Sequence, residues 1–365
     1  MIRKIKKEIY KTYLNRGKEY IKKNKLRNAY DELSKSIYVY GANYHKSNYE
    51  AHFLRGVVNN RLGIYKEAAF DLRIALRFNP KPGFSSFYEL AEAYLGLKEY
   101  KLAVPYFSRA HSIKPEDFSS LFNRGACYYE YGEYKKAILD FNKANKIKID
   151  YDTFYNRGLC FSIIKNYRHA IADYNLAINH GYKEGDIFVR RGVAKSRTKD
   201  YRNAISDFTK AIHFKALENE DMAIAYLEQA WAYIRIGEYK KGLISSDNGI
   251  NMMCMGVYKL MHLINKAYAY IKLSRFIDAN NALNQALKLK SALKLEKDQL
   301  AFLLMLKGLS HTLRGNCYLA LKNFEEMFLK DPNILDADEE SIFDEVPEYM
   351  KNLIRLSLNI SLKRN

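Results

Sequence analysis

The sequence predicts an all-α solenoid of stacked helix–turn–helix repeats, and three observations carry the prediction. One pattern is written three times, as FNRGACYYEYGEYKKAILDFNKA (122–144), YNRGLCFSIIKNYRHAIADYNLA (155–177) and VRRGVAKSRTKDYRNAISDFTKA (189–211). A small residue of the same pattern returns along the whole chain, at Gly17, Gly56, Ala91, Gly125, Gly158, Gly192, Ala230, Ala267 and Gly308, with spacings of 39, 35, 34, 33, 34, 38, 37 and 41 residues. The composition is tilted as a recurring position would tilt it: 31 tyrosines stand against a single tryptophan. A chain of 365 residues would ordinarily form about two domains. Its 48% hydrophobic content is enough for a large core, and 6 prolines and 18 glycines exclude a collagen-like or low-complexity chain.

Numbering each repeat so that the small residue is position 8 brings the other recurrences into register. Position 17 is Tyr65, Tyr100, Tyr134, Tyr167, Tyr201, Tyr239 and Phe276. Position 20 is Ala29, Ala68, Ala103, Ala137, Ala170, Ala204, Gly242, Ala279 and Ala320. Position 27 is Ala75, Ala110, Ala144, Ala177, Ala211, Gly249 and Ala286, and position 32 is Pro80, Pro115 and Pro332. On these residues the chain resembles the tetratricopeptide-repeat (TPR) proteins, whose unit of 34 residues is a pair of helices. The resemblance takes in nearly the whole chain and implies a right-handed superhelical solenoid. Its repeats are expected at 10–43, 49–82, 84–117, 118–150, 151–184, 185–218, 223–256, 260–293 and 301–334. A basic arm at 1–9 precedes them, and an acidic linker with a capping helix follows at 335–365.

Each recurrence has a physical reason. Positions 8 and 20 lie where helices A and B of one repeat cross, and a larger residue there would overpack at about 1–3 kcal/mol. Position 27 is small so that helix B nests against helix A of the next repeat. Proline at position 32 cannot continue helix B and turns the chain. A single repeat cannot bury its apolar face, so stability is shared between neighbours.

The departures follow in order. Repeat 1 has Leu26 where tyrosine is usual and a long connection, Val39 to Tyr49, to repeat 2. Pro105 falls inside helix B of repeat 3, where a kink or a wider turn is expected. Repeat 8 is expected to carry an extended helix B through 288–297. After the last repeat, 331–350 holds eight acidic residues and no Lys or Arg, and 351–363 has the helical apolar spacing of a cap.

Net charge is 60 − 41 = +19, with a pI near 9.4. This balance favours acidic partners without choosing among nucleic acid, anionic membrane and acidic protein. The first 30 residues carry eleven Lys or Arg against Glu8 and Glu19, an arm open to the same partners or to the acidic 331–350 stretch of another copy. The cysteines Cys127, Cys160, Cys254 and Cys317 lie far apart with no CxxC pair, as buried thiols of a reducing compartment would. No apolar run is long enough to span a membrane, and MIRKIKKEIYK is not followed by the apolar stretch of a secretory signal, so a cytoplasmic location is expected.

Position 7 is arginine in five repeats: Arg16, Arg55, Arg124, Arg157 and Arg191. In each of these, position 23 is acidic: Glu32, Asp71, Asp140, Asp173 and Asp207. Where position 7 is Leu90, Gln229, Lys266 or Lys307, the acid is absent from position 23. A partly buried pair fixing the crossing of helices A and B is preferred over a ladder of ligand-binding arginines.

In the family the concave surface is formed by helix A, chiefly positions 2, 5, 6, 9, 12 and 13. Here position 5 includes Tyr88, Phe122 and Tyr155, and position 6 includes Asn123, Asn156, Arg190 and Asn265. An aromatic stripe with interleaved amides suits an extended peptide, against the alternative that the rings only pack on neighbouring helices. The family's two-carboxylate clamp for chaperone C-termini survives only as Asn156 and Arg190; Phe122, Ala126 and Asp186 occupy its other places, so that role is not expected. The run 190–202 holds Arg190, Arg191, Lys195, Arg197, Lys199 and Arg202 against Asp200 alone. Arg190 and Arg197, seven apart on one helical face, could grip a phosphorylated or acidic peptide, or could belong to a solvated charge run.

Catalysis finds no support. The eight histidines have no metal-ligand spacing, no glycine-rich loop cradles a phosphate, and there is no nucleophile elbow. Neither a cofactor nor a metal is expected. The reading is a non-enzymatic scaffold or adaptor whose groove residues Tyr88, Phe122, Asn123, Tyr155, Asn156, Arg190 and Arg197 hold an extended, acidic or aromatic-containing segment of a partner protein. The alternatives are a protein bound to RNA or ribonucleoprotein through its basic surface, and a regulatory or assembly subunit of a larger complex, such as a ciliary or cytoskeletal one.

Overall fold

The computed structural model describes residues 2–39, 48–79, 81–214, 217–252, 256–289 and 297–330. Among them are eighteen α-helices and no strand, so the chain is an all-α helical repeat. It divides into an N-terminal unit, Met1–Tyr182, and a C-terminal unit, Lys183–Asn365.

The N-terminal unit holds five helix pairs. They are α1 (Ile2–Lys22) with α2 (Leu26–Tyr38), α3 (Tyr49–Arg61) with α4 (Tyr65–Phe78), α5 (Phe84–Gly96) with α6 (Tyr100–Ile113), α7 (Phe118–Glu130) with α8 (Tyr134–Ile147), and α9 (Tyr151–Ile163) with α10 (Tyr167–Asn179). The C-terminal unit holds four: α11 (Asp186–Arg197) with α12 (Tyr201–Ile212), α13 (Asn219–Arg235) with α14 (Tyr239–Asn251), α15 (Val257–Lys272) with α16 (Phe276–Lys288), and α17 (Lys297–Leu313) with α18 (Cys317–Lys330). Within each unit, every helix packs on its sequence neighbours.

The turn between helices A and B is the same nine times. Position 15 takes a positive φ in every repeat: Asn24, Gly63, Lys98, Gly132, Lys165, Lys199, Gly237, Ser274 and Gly315. That left-handed residue lets the chain fold back within a few residues, as a helix C-terminus commonly requires. Glycine enters this region freely, while the three lysines, Asn24 and Ser274 carry a steric cost of about 1 kcal/mol each.

The small residue of position 8 faces one side chain of helix B, at position 24. A Cβ on Gly125 would lie 2.8 Å from the Phe141 ring, one on Gly158 2.7 Å from Tyr174, and one on Gly192 2.7 Å from Phe208. In repeats 1 and 2 the corresponding residues are Leu33 and Leu72. Phe107, Phe141, Tyr174 and Phe208 are fully buried, so repeats 3 to 6 each seat a large aromatic side chain over the small residue of position 8. Position 27 answers the next helix A: a Cβ on Gly249 would lie 2.2 Å from the imidazole of His262 on α15.

Several expected boundaries move. Helix α1 starts at Ile2, so most of the stretch set apart as a basic arm is the first two turns of a helix A. Helices α13, α15 and α17 begin at Asn219, Val257 and Lys297, about one turn before the repeats expected at 223 and 301 and three residues before that at 260. Glu220 and Asp221 in the first turn of α13 suit the positive end of its dipole. Helix α6 runs through Pro105 without interruption. Helix α16 ends at Lys288 with Leu289 as its C-cap, and the rest of the extension expected through 297 lies at 290–296, outside the described residues. The acidic stretch, the capping helix and Pro332 lie outside the described residues, as does Pro80.

Candidate functional site

The arginines of position 7 do more than join two helices. Arg124 donates from Nε and Nη2 to both carboxylate oxygens of Asp140, each at 2.7 Å, and from Nη1 to Ser108 of the preceding helix B at 3.0 Å. Arg55 repeats this with Asp71 and Ser34, and Arg157 with Asp173 and Asn142. Arg191 holds Asp207 by the same fork. For Arg55, Arg124 and Arg157 the third partner stands at position 25 of the repeat before, so one guanidinium ties three helices together. His52 adds a contact of 2.8 Å to Asp71. Burial alone would raise the Asp71 carboxyl, but Arg55 and His52 hold it below its ordinary value.

Repeats without the arginine keep the geometry in other chemistry. Gln229 donates to Thr209 at 2.9 Å and accepts from Ser245 at 2.8 Å, and these are positions 25 and 23 again. Lys266 pairs at 2.5 Å with Asp247, at position 25 of the repeat before. Repeat 1 is the loose case: Arg16 reaches Glu32 only at 3.8 Å and is mostly exposed. These side chains are consumed by the scaffold.

The helix A positions expected to face a ligand carry the candidate site. In the N-terminal unit Tyr88, Phe122 and Tyr155 stand at position 5 of α5, α7 and α9, each half-buried. Phe84 stacks on Tyr88 at 5.3 Å and Phe118 on Phe122 at 5.7 Å, one helical turn apart. Beneath them, Tyr88 meets Phe107, Phe122 meets Phe141 and Tyr155 meets Tyr174, at 5.7, 5.9 and 6.2 Å. Tyr182 also stacks on Tyr155 at 4.7 Å. The rings are therefore fixed from below and presented at the surface of helix A.

The amides are engaged differently from expectation. Asn123 donates to Tyr88 at 3.1 Å and also to Glu92, tying α7 to α5. Asn156 donates to the Asp152 carbonyl of its own helix at 2.8 Å. One helix pair earlier, Asn60 donates to the Glu89 carbonyl and carboxylate at 2.8 and 2.9 Å. Burial raises the Glu89 and Glu92 carboxyls above their ordinary values, and the charge of Glu89 adds to the effect on Glu92. Burial and the neighbouring Asp150 likewise raise Asp152. A cleft of about 270 Å³ opens between α3 and α5, with Glu50, Phe53 and Phe84 in its wall.

In the C-terminal unit four cations of the basic run prove to be matched. Arg190 pairs with Asp221 at 3.1 Å and Arg197 with Glu228 at 3.0 Å, both acids lying on α13. Arg191 and Lys195 share Asp207. An acidic ligand at Arg190 and Arg197 would thus have to compete with two resident carboxylates. Sequence reasoning missed these acids because it compared equivalent positions and did not compare the facing surfaces of successive A helices.

Cys127 and Cys160 are buried free thiols, each pushed up to about 12 by burial. Among the described residues no three His, Cys, Asp or Glu side chains converge as metal ligands would. No helix among them is long and apolar enough to cross a membrane.

Residues 88–151 match the family model for the tetratricopeptide repeat. No curated protein matches the chain. Among solved structures, a tetratricopeptide repeat protein from Parabacteroides merdae is similar over 72% of this chain and 99% of its own, at 17% identity and a TM-score of 0.48. YrrB, a TPR protein with an unusual peptide-binding site, is similar at 26% identity over 46% of this chain and 84% of its own, with a TM-score of 0.42. PilF of Pseudomonas aeruginosa is similar at 17% identity over 60% and 96%, with a TM-score of 0.47.

Proposed function

Because the chain is a tetratricopeptide-repeat protein, we propose that it is a non-enzymatic scaffold that holds an extended segment of a partner protein along the A helices of its N-terminal unit. The observation that carries the reading is the aromatic row Tyr88, Phe122 and Tyr155 at one position of three successive A helices. Each ring is braced by a buried or half-buried neighbour and leaves part of its surface outward. Rings fixed before binding lose little side-chain freedom when a ligand covers them, which favours them as contacts. Helical-repeat arrays characteristically offer such faces to extended ligands.

Affinity capture with the full chain tests this, run with and without nuclease and at two salt concentrations. Wild type is expected to retain a protein partner through nuclease treatment. The folded Tyr155→Ala and Phe122→Ala variants are expected to lose it. Bound material that disappears with nuclease, or a partner retained equally by both variants, would overturn the proposal.

A further inference from the structure

We propose that the face of repeats 3 to 5 selects a cationic extended segment, whose lysine or arginine side chains meet Glu89, Glu92, Glu130 and Asp152 while its apolar side chains lie on Tyr88, Phe122 and Tyr155. The inference rests on the peptide-groove reading above and names the class of peptide. Its sign is opposite to the acidic ligand that the sequence suggests.

The first support is the distribution of charge. At the six groove positions of repeats 3, 4 and 5 stand these four carboxylates and no Lys or Arg, in a chain of net charge +19. Against the net positive charge of the whole chain, this acidic stripe is a local feature with a long-range attraction for a positive partner. Resident hydrogen bonds do not neutralise it: Glu89 accepts from Asn60, and Glu92 from Asn123, all neutral groups. Arg61 at the edge of the stripe lowers Glu89, but burial outweighs it, and the charge of Glu89 adds to the cost of ionising Glu92. An incoming ammonium or guanidinium would relieve that cost.

A second support comes from the neighbouring repeats, which show a lysine already held in this way. Lys18, at position 9 of repeat 1, reaches Glu50, at position 2 of repeat 2, with Nζ to Oε1 at 2.6 Å. The same pair of positions in repeats 4 and 5 is Ala126 and Asp152, so there the carboxylate is present and the lysine is missing. Repeats 6 and 7 are the counter-case, where Arg190 and Arg197 find Asp221 and Glu228 within the chain. Charge is matched internally at those repeats and left open at repeats 3 to 5.

Fluorescence anisotropy with the full chain provides the test. The probes are a labelled peptide of alternating lysine, glycine and leucine and its counterpart with glutamate for lysine. The lysine peptide is expected to bind at least about tenfold tighter than the glutamate peptide, with affinity that falls as salt rises. The triple variant Glu89→Gln, Glu92→Gln, Glu130→Gln, which keeps the amide contacts, is expected to lose about tenfold for the lysine peptide, and Tyr155→Ala to weaken it as well. Equal binding of both peptides, or a folded triple variant with unchanged affinity, would overturn the cationic assignment. If Tyr155→Ala weakens both peptides equally while the triple variant changes neither, the groove reading survives and the charge reading fails. If Tyr155→Ala changes nothing, the groove reading fails and this inference fails with it.

Discussion

Replacing Asp140 by alanine removes both carboxylate bonds of Arg124 and leaves its guanidinium, 13% exposed, with Ser108 as its partner at position 25. Asp140 itself is 5% exposed, so the pair lies where removal of one partner costs about 3–5 kcal/mol. The chain contains its own control. At Gln229 the same three positions are bridged by two neutral hydrogen bonds of 2.9 and 2.8 Å, each worth about 1 kcal/mol. The double variant Arg124→Gln, Asp140→Ser rebuilds that arrangement in repeat 4 and leaves no buried charge behind. It is expected to lose only about 1–2 kcal/mol, less than Asp140→Ala alone. Urea denaturation gives the totals, and hydrogen exchange locates them. Because Arg124 also holds the preceding helix, the loss of protection in Asp140→Ala should spread from α7 and α8 to α6. An Asp140→Ala cost below about 1 kcal/mol, or a double variant as damaged as the single one, would refute the reasoning.

Three further outcomes follow from other parts of the molecule. His262 is fully buried on α15, and burial lowers it from 6.5 to about 4, so the unfolded chain takes up a proton that the folded chain refuses. Stability is therefore full above pH 6.5 and falls as pH drops toward 4, by about 2 kcal/mol between pH 7 and 5; the difference between wild-type and His262→Leu denaturation curves at the two pH values should show it. Lys165 and Lys199 hold φ of 61° and 64° in the A–B turns, so Lys165→Gly and Lys199→Gly should each stabilise by up to about 1 kcal/mol; a destabilised glycine variant in thermal unfolding would contradict this. Asp71 is held below its ordinary value of 3.8, so its contribution is present above that pH and is lost as pH falls below it. The variant Asp71→Asn should remove that part of the acid transition, and an unchanged transition would count against the pairing.

The fold was legible because its constraints are steric and recur. A glycine at 125, 158 and 192 reads as one requirement repeated, and the rings of Phe141, Tyr174 and Phe208 are its cause. The pairing of positions 7 and 23 was legible for the same reason: arginine and acid come and go together along one chain. Its third partner was not, since Ser34, Ser108, Asn142 and Thr209 share only a hydrogen-bonding atom. The longer A helices α13, α15 and α17 escaped because a fixed repeat frame has no place for an added turn. The site was legible as a face and illegible as a set of contacts. Asn123 with Glu92, Asn60 with Glu89 and Arg197 with Glu228 are separated by about one repeat in sequence and meet only when successive A helices lie side by side.

Site-specific photocross-linking in cells tests the central claim most directly. A benzophenone side chain is placed at Phe122, on the proposed binding face, or at Leu139, exposed on helix B of the same repeat. The account predicts a covalent adduct between position 122 and one segment of a partner protein, rich in lysine or arginine, with none at position 139. Adducts that form at 139 and not at 122, or adducts at 122 made with nucleic acid, would contradict it.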